Sequence, residues 1–228
     1  MDIRAWLLAA ALACSAWTSH AQVREPFDTG APNLLAVLRE SFGSNQERET
    51  LLPYGTLRAM LPDGGEVELE TSWFQYVGDM HIRLVFDSRT QLQSASPEDL
   101  ERLHLEPEQA VQLAVKNLRR TYGEPTVRPW SGGLMQVQGR ADDLNSSYFL
   151  DRDFWRGIEA RHPGGVVVAV PQRGGLLFAP AGDDNAVLAL RFSAAALYAA
   201  APRQRVSSAL YLFREGRWSV FDPPRAAQ

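Results

Sequence analysis

Along residues 66–70 the chain reads Glu-Val-Glu-Leu-Glu, so Val67 and Leu69 alternate with acids at the period of a half-buried strand. Pro62-Asp63-Gly64-Gly65 precedes it, and this turn chemistry predicts a hairpin with residues 57–61. Alternation returns at 80–86, with Ile82, Leu84 and Phe86 on one face and His81, Arg83 and Val85 on the other. Leu34, Leu35, Val37 and Leu38 fit either a short helix or an extended segment. Helical spacing is clearest at 107–120, where Val111, Ala114, Val115 and Leu118 fall at i, i+3, i+4 and i+7. Acids begin that stretch and Lys116, Arg119 and Arg120 end it, an order that complements the helix dipole. Ser96 followed by Pro97 predicts another helix start.

The second half has the same grammar. Residues 151–162 form a predicted helix with an Asp cap and a Pro-Gly stop, burying Phe154, Trp155 and Ile158. Val166, Val168 and Val170 alternate with Val167 and Ala169, so both faces are apolar and the strand is predicted to be central and covered. The turn at 172–175 is then the part that meets solvent or a partner. A long helix follows at 184–200, and Glu215-Gly216 centres a last hairpin. The strands at 134–138, 166–170, 176–179, 210–213 and 218–221 are expected in one antiparallel sheet. Short turns between neighbouring strands predict an α+β fold: a mostly antiparallel sheet with interleaved helices covering one face, in a loose recurrence of helix-strand-strand units.

The first residues change the picture of where the chain works. Arg4 precedes an apolar run from Ala5 to Cys14, and Ser19-His20-Ala21 supplies small residues at the positions signal peptidase accepts. This predicts a signal peptide over 1–21, cleaved between Ala21 and Gln22, and a periplasmic or secreted protein. Lipid attachment at Cys14 is the alternative. The run is shorter than the about 20 residues that span a bilayer, and no later stretch approaches that length. The expected organisation is an extended lead at 22–32, a single α+β domain at 33–222 with a sub-boundary near 91–97, and a tail at 223–228. Cys14 is the only cysteine, so the mature chain has no disulfide, thiolate ligand or thiol nucleophile. A chain of this length buries roughly 70% of its unfolded surface and relies on its core.

Charge excludes one class of partner. The net charge is −4, with 23 basic against 27 acidic residues, and Lys116 is the sole lysine. That is no footprint for nucleic acid. The expected partner is a protein or a small molecule, with no cofactor and no membrane span. Oligomeric state cannot be read.

No catalytic constellation stands out. Asp28-Thr29-Gly30 has the form of an aspartic-protease motif, but that chemistry needs two facing copies and one is present. His81, His104 and His162 share no metal-ligand spacing, so no metal site is expected. His162 suits a helix C-terminus. Asp79 and His81 on one strand are a candidate base with an orienting carboxylate. Asp142, Asp143, Asn145, Ser146 and Ser147 read as a loop of turn and cap residues without calcium-binding rhythm. The leading expectation is therefore a non-catalytic binding or interaction module. The alternative is a metal-free hydrolase using Asp79 and His81, or the 142–147 loop.

Several segments together, "LLAVLRE", "IRLVFDS", "EQAVQLAVKNLRR", "SSYFLDRDFW", "VVVAVPQRGGLLFA" and "ALYLFREGRWSVF", give the chain an order of motifs that resembles the YtpQ-like family of uncharacterised bacterial proteins. The likeness spans about residues 34–221 and is strongest in the second half. It implies no activity. Such proteins carry an Asp where Gly174 and Asn145 stand here, so a chemistry resting on those acids is implied to be lost. Relatives of that kind also lack a signal peptide.

Overall fold

The computed structural model describes residues 27–88 and 91–224. Cys14, Ala21 and Gln22 lie outside the described residues. In chain order the elements are β1 (Leu34–Glu40), β2 (Leu52–Pro53), β3 (Leu57–Met60), β4 (Glu66–Leu69), β5 (Trp73–Gln75), β6 (Met80–Asp87), β7 (Leu92–Ser94), α1 (Pro97–Arg102), α2 (Pro107–Tyr122), β8 (Thr126–Pro129), β9 (Met135–Gln138), α3 (Arg152–Glu159), β10 (Val166–Gln172), β11 (Gly175–Pro180), α4 (Asp184–Ala200), β12 (Leu210–Arg214) and β13 (Arg217–Asp222). The class is α+β, and every strand pairing is antiparallel.

The strands fall into two main sheets and a separate hairpin of β3 and β4. One sheet runs β1-β6-β5-β2, with β7 also on β6; the other runs β13-β12-β10-β11-β9-β8. The five second-half segments expected in one sheet are all in the latter, joined by β8. β10 lies at its centre and is buried on both faces. Val167 and Ala169 meet Ala186, Val187, Leu190 and Ala194 of α4. Val166, Val168 and Val170 face the main core, where they join Leu34, Ile82, Phe86, Phe149 and Trp155. Helices thus do not cover a single face as expected. α4 takes one side of the second sheet and α3 and the first sheet take the other, because a strand with two apolar faces needs two covers, while α2 packs on the first sheet. The strand tolerates Pro171, which lacks an N–H, because the pairing with β11 is irregular between Ala169 and Gln172.

Local chemistry explains the helices. Ser96 and Asp99 exchange side chain-to-backbone hydrogen bonds in a capping box at α1. The Asp151 and Asp183 carboxylates cap α3 and α4 by accepting from the Phe154 and Ala186 N–H groups. Trp155 is fully buried and its indole Nε1 donates to the Tyr148 carbonyl at 2.9 Å. The Phe149 ring stacks on Trp218, centroids 3.8 Å apart, and Trp155 meets Trp218 edge-on at 5.3 Å. Residues 34–38 form a strand. With both faces buried, β1 shows no alternation that could have separated strand from helix.

Candidate functional site

Between α2, α3 and residues 49–51 lies a groove of about 570 Å³. Its floor is apolar: Leu51, Ile82, Val111, Val115 and Leu150. Val111 and Val115 are the half-buried positions of α2 that turn toward it. The walls are polar and cross-braced. Asp151 takes Arg119 in a bidentate pair at 2.6 and 2.7 Å, while its Oδ1 also accepts from the Phe154 N–H at 3.1 Å. Glu49 accepts from Arg152, from the Tyr76 hydroxyl at 2.7 Å and from the Trp218 N–H at 3.2 Å. Arg156 pairs with Asp153. Burial, and then the Glu49 charge, push the Tyr76 hydroxyl well above its ordinary value, so it remains a neutral donor. The carboxylates of Asp151 and Glu49 are engaged, so neither stands as a free base.

The sequence candidates are distributed elsewhere. Asp79 sits in the turn leading into β6, is buried, and receives hydrogen bonds from Ser207, from the Tyr211 hydroxyl at 3.0 Å and from the Ser208 N–H at 3.3 Å. Burial raises its carboxyl above the usual range, against the pull of these bonds. Gly78 beside it, at φ +64°, has no room for a side chain: a Cβ would stand 2.5 Å from the Tyr211 oxygen.

His81, the candidate base, is buried. Its ring lies 4.6 Å from that of Tyr54 and 5.4 Å from that of Trp73. Its Nε2 accepts from Arg83 Nε at 2.8 Å. Asp79 and His81 therefore have separate partners and do not orient one another. Burial, then repulsion from Arg83 and Arg39, lowers His81 to about 3, with the Glu40 backbone acting weakly the other way.

The predicted loop at 142–147 is part of a 3₁₀ helix, Asp142–Leu150. Asn145, Ser146 and Ser147 are buried there, the Asn145 side chain and the Ser146 backbone engaged by the interior and the Ser147 hydroxyl without a partner among the described residues. Asn145 Oδ1 accepts from the Gly139 N–H at 2.8 Å, and the Ser146 N–H donates to the Arg173 carbonyl at 2.8 Å. Asn145 also donates to the Gly174 carbonyl at 3.4 Å, so the two positions of the family-like departure are neighbours. Asp28 accepts from the Gly30 N–H at 2.9 Å, a turn of the expected kind. His162 and His104 join neither region.

The groove residues escaped sequence reasoning because Glu49, Tyr76, Arg119 and Arg152 belong to four separate segments. The available signal was half-apolar α2, whose Val111 and Val115 continue the helical stripe beyond the fully buried Ala110, Ala114 and Leu118. Among the described residues, no cluster of three or more His, Cys, Asp or Glu is placed to hold a metal, and no helix is long and apolar enough to cross a membrane. The fold and groove define an α+β protein with a braced, partly apolar cleft. Comparison of the chain with family models, curated proteins and solved structures finds no match.

Proposed function

We propose that this is an exported, non-catalytic binding protein that holds a small amphipathic molecule in the groove between α2 and α3. The observation that carries the reading is the groove itself, about 570 Å³ with an apolar floor and charges paired along its walls. That volume lies within the about 300–1,000 Å³ typical of small-molecule sites, which are apolar with a few fixed polar groups. These ion pairs, with Glu108 and Lys116 beside them on α2, orient a ligand by fixed charge. The signal-like pattern ending at Ala21 supports export to the periplasm or beyond. Kinship with the YtpQ-like family stays a proposal too, and it brings no activity with it.

The hydrolase alternative has less support. General-base catalysis works best with a pKa near the operating pH. A histidine lowered to about 3 and bonded to an arginine is far from that.

The test uses a neutral naphthylamine fluorophore, which avoids charge attraction. Its emission should rise on binding the native protein. Val115→Trp, which fills the groove, should abolish the rise while circular dichroism and melting behaviour stay native. Unchanged fluorophore binding by a folded Val115→Trp variant rejects the groove as the site.

A further inference from the structure

Arg58, Arg102, Arg119, Arg152, Arg156 and Arg191 each lie within ion-pair distance of a carboxylate. Arg39, Arg83 and Arg173 are part-buried, and among the described residues none of the three has such a partner. They come from distant segments. The register of β1 against β6 sets Arg39 opposite His81, and Arg83 follows two residues on, on the same face. Arg173 stands in the turn between β10 and β11, and the 3₁₀ helix Asp142–Leu150, which packs on β1, donates from its Ser146 N–H to the Arg173 carbonyl at 2.8 Å and so brings that turn beside β1.

All three are held in place by neutral groups. Arg39 Nη1 donates to the Leu38 carbonyl at 2.7 Å. Arg83 donates through Nε to His81, and its guanidinium carbon lies 3.5 Å from the centre of the Trp73 ring. Arg173 donates from Nη2 to the Arg203 carbonyl at 3.1 Å, while its buried Nε has no partner. Each guanidinium thus spends part of its donor set on fixing itself and keeps other N–H groups in hand. The arginines also feel one another. Burial, then Arg173 and Arg83, lower Arg39 to about 10, with Asp143 the acid that opposes this. Glu40, next in sequence to Arg39, is taken by the Tyr198 hydroxyl.

Desolvated like charges without counter-charge oppose folding. Arrangements of this kind are balanced when an anion completes them. We propose that Arg39, Arg83 and Arg173 bind a tetrahedral oxyanion of the phosphate class, as the free ion or as the terminal group of a larger molecule. Three guanidiniums exceed what one carboxylate can use. A phosphate group carries about −1.5 to −2 charges near neutral pH, with three strong acceptor oxygens on an esterified group. Arginine forks match that geometry, often in bidentate pairs. Fixing the forks beforehand reduces the entropy lost on binding. The site is independent of the groove, and its ligand is recognised by charge where the groove recognises shape.

Inorganic phosphate is the probe, titrated into the purified protein at constant ionic strength with chloride as the reference. Phosphate should raise the melting midpoint in a concentration-dependent way that chloride does not reproduce. Arg39→Gln and Arg173→Gln, both at part-exposed positions, should each weaken phosphate binding at least tenfold, read by calorimetry. Phenyl phosphate separates the sources: tighter binding than phosphate assigns the terminal group of a larger molecule, and equal binding assigns the free ion. Val115→Trp should leave the phosphate response intact, so failure of the groove reading and failure of this one are told apart. A phosphate effect no larger than that of chloride overturns the proposal. So does an undiminished response in a folded Arg39→Gln/Arg173→Gln double variant.

Discussion

In the groove, Arg119, Arg152 and Arg156 each meet a carboxylate, and Asp151 is so well used that it also caps a helix. Arg39, Arg83 and Arg173 instead meet carbonyls, a neutral imidazole and a tryptophan face, with no carboxylate at ion-pair distance among the described residues and Asp143 the acid that acts on Arg39. Both regions are polar and part-buried, yet only in the first do the arginines meet carboxylates at ion-pair distance. Charges that are matched within a protein brace its structure. Charges left unmatched at the cost of repulsion mark a place where something from outside supplies the balance.

The comparison can be broken most forcefully at Asp151. Replacement by Ala strands the Arg119 guanidinium and removes the α3 cap. Because Arg119 is part-exposed, the expected loss is about 3 kcal/mol, at the low end for a broken buried pair. Urea unfolding measures it, and a loss under about 0.5 kcal/mol would show that the groove charges brace nothing. A second effect is carried by pH. Below pH 6.5 the unfolded chain takes up a proton on His81 that the folded chain refuses until about pH 3. Stability therefore falls as pH drops through that window, and it is retained above it. The His81→Gln variant should show a shallower fall between pH 6.5 and 4 than the parent. Identical slopes would mean that the imidazole is not held neutral in the folded protein by its burial and the arginines beside it. The smallest effect is the most discriminating. Without phosphate, Arg39→Gln should keep or slightly raise stability, by no more than about 0.5 kcal/mol, because it relieves repulsion and breaks no ion pair. A clear destabilisation would show that Arg39 has an internal role like that of Arg119.

Much of the fold was legible because it is written locally. Ser96, Asp151 and the acids at the start of 184–200 announce helices, and Glu215-Gly216 announces a hairpin through its turn chemistry. The apolar run at 166–170 announced a strand covered on both sides, as β10 is. Division into two sheets was not legible, since short turns fix which neighbours pair but not where one sheet ends. The burial of His81 was not legible because the rings that cover it come from elsewhere, Trp73 from β5 and Tyr54 from just past β2. The 142–147 segment was misjudged because Asp-Asp-Leu-Asn-Ser-Ser has the composition of a solvated loop, while its backbone and amide partners are internal. Arg39, Arg83 and Arg173 carry no shared local signal at all. Strand register sets Arg39 and Arg83 on one face, and the 142–150 helix packed on β1 holds the turn that carries Arg173.

The buried knot of Asp79, Ser207 and Tyr211 has a consequence for how the molecule opens. Asp79 enters it from the first sheet and Tyr211 from the second, and Gly78 leaves room for the Tyr211 ring where any side chain would strike it. Neither sheet can peel away without exposing that carboxyl and losing its partners. The central amides of β6 and β12 should therefore exchange their hydrogens with solvent through the same rare event, as one cooperative unit, whereas the outlying β3–β4 hairpin frays by itself.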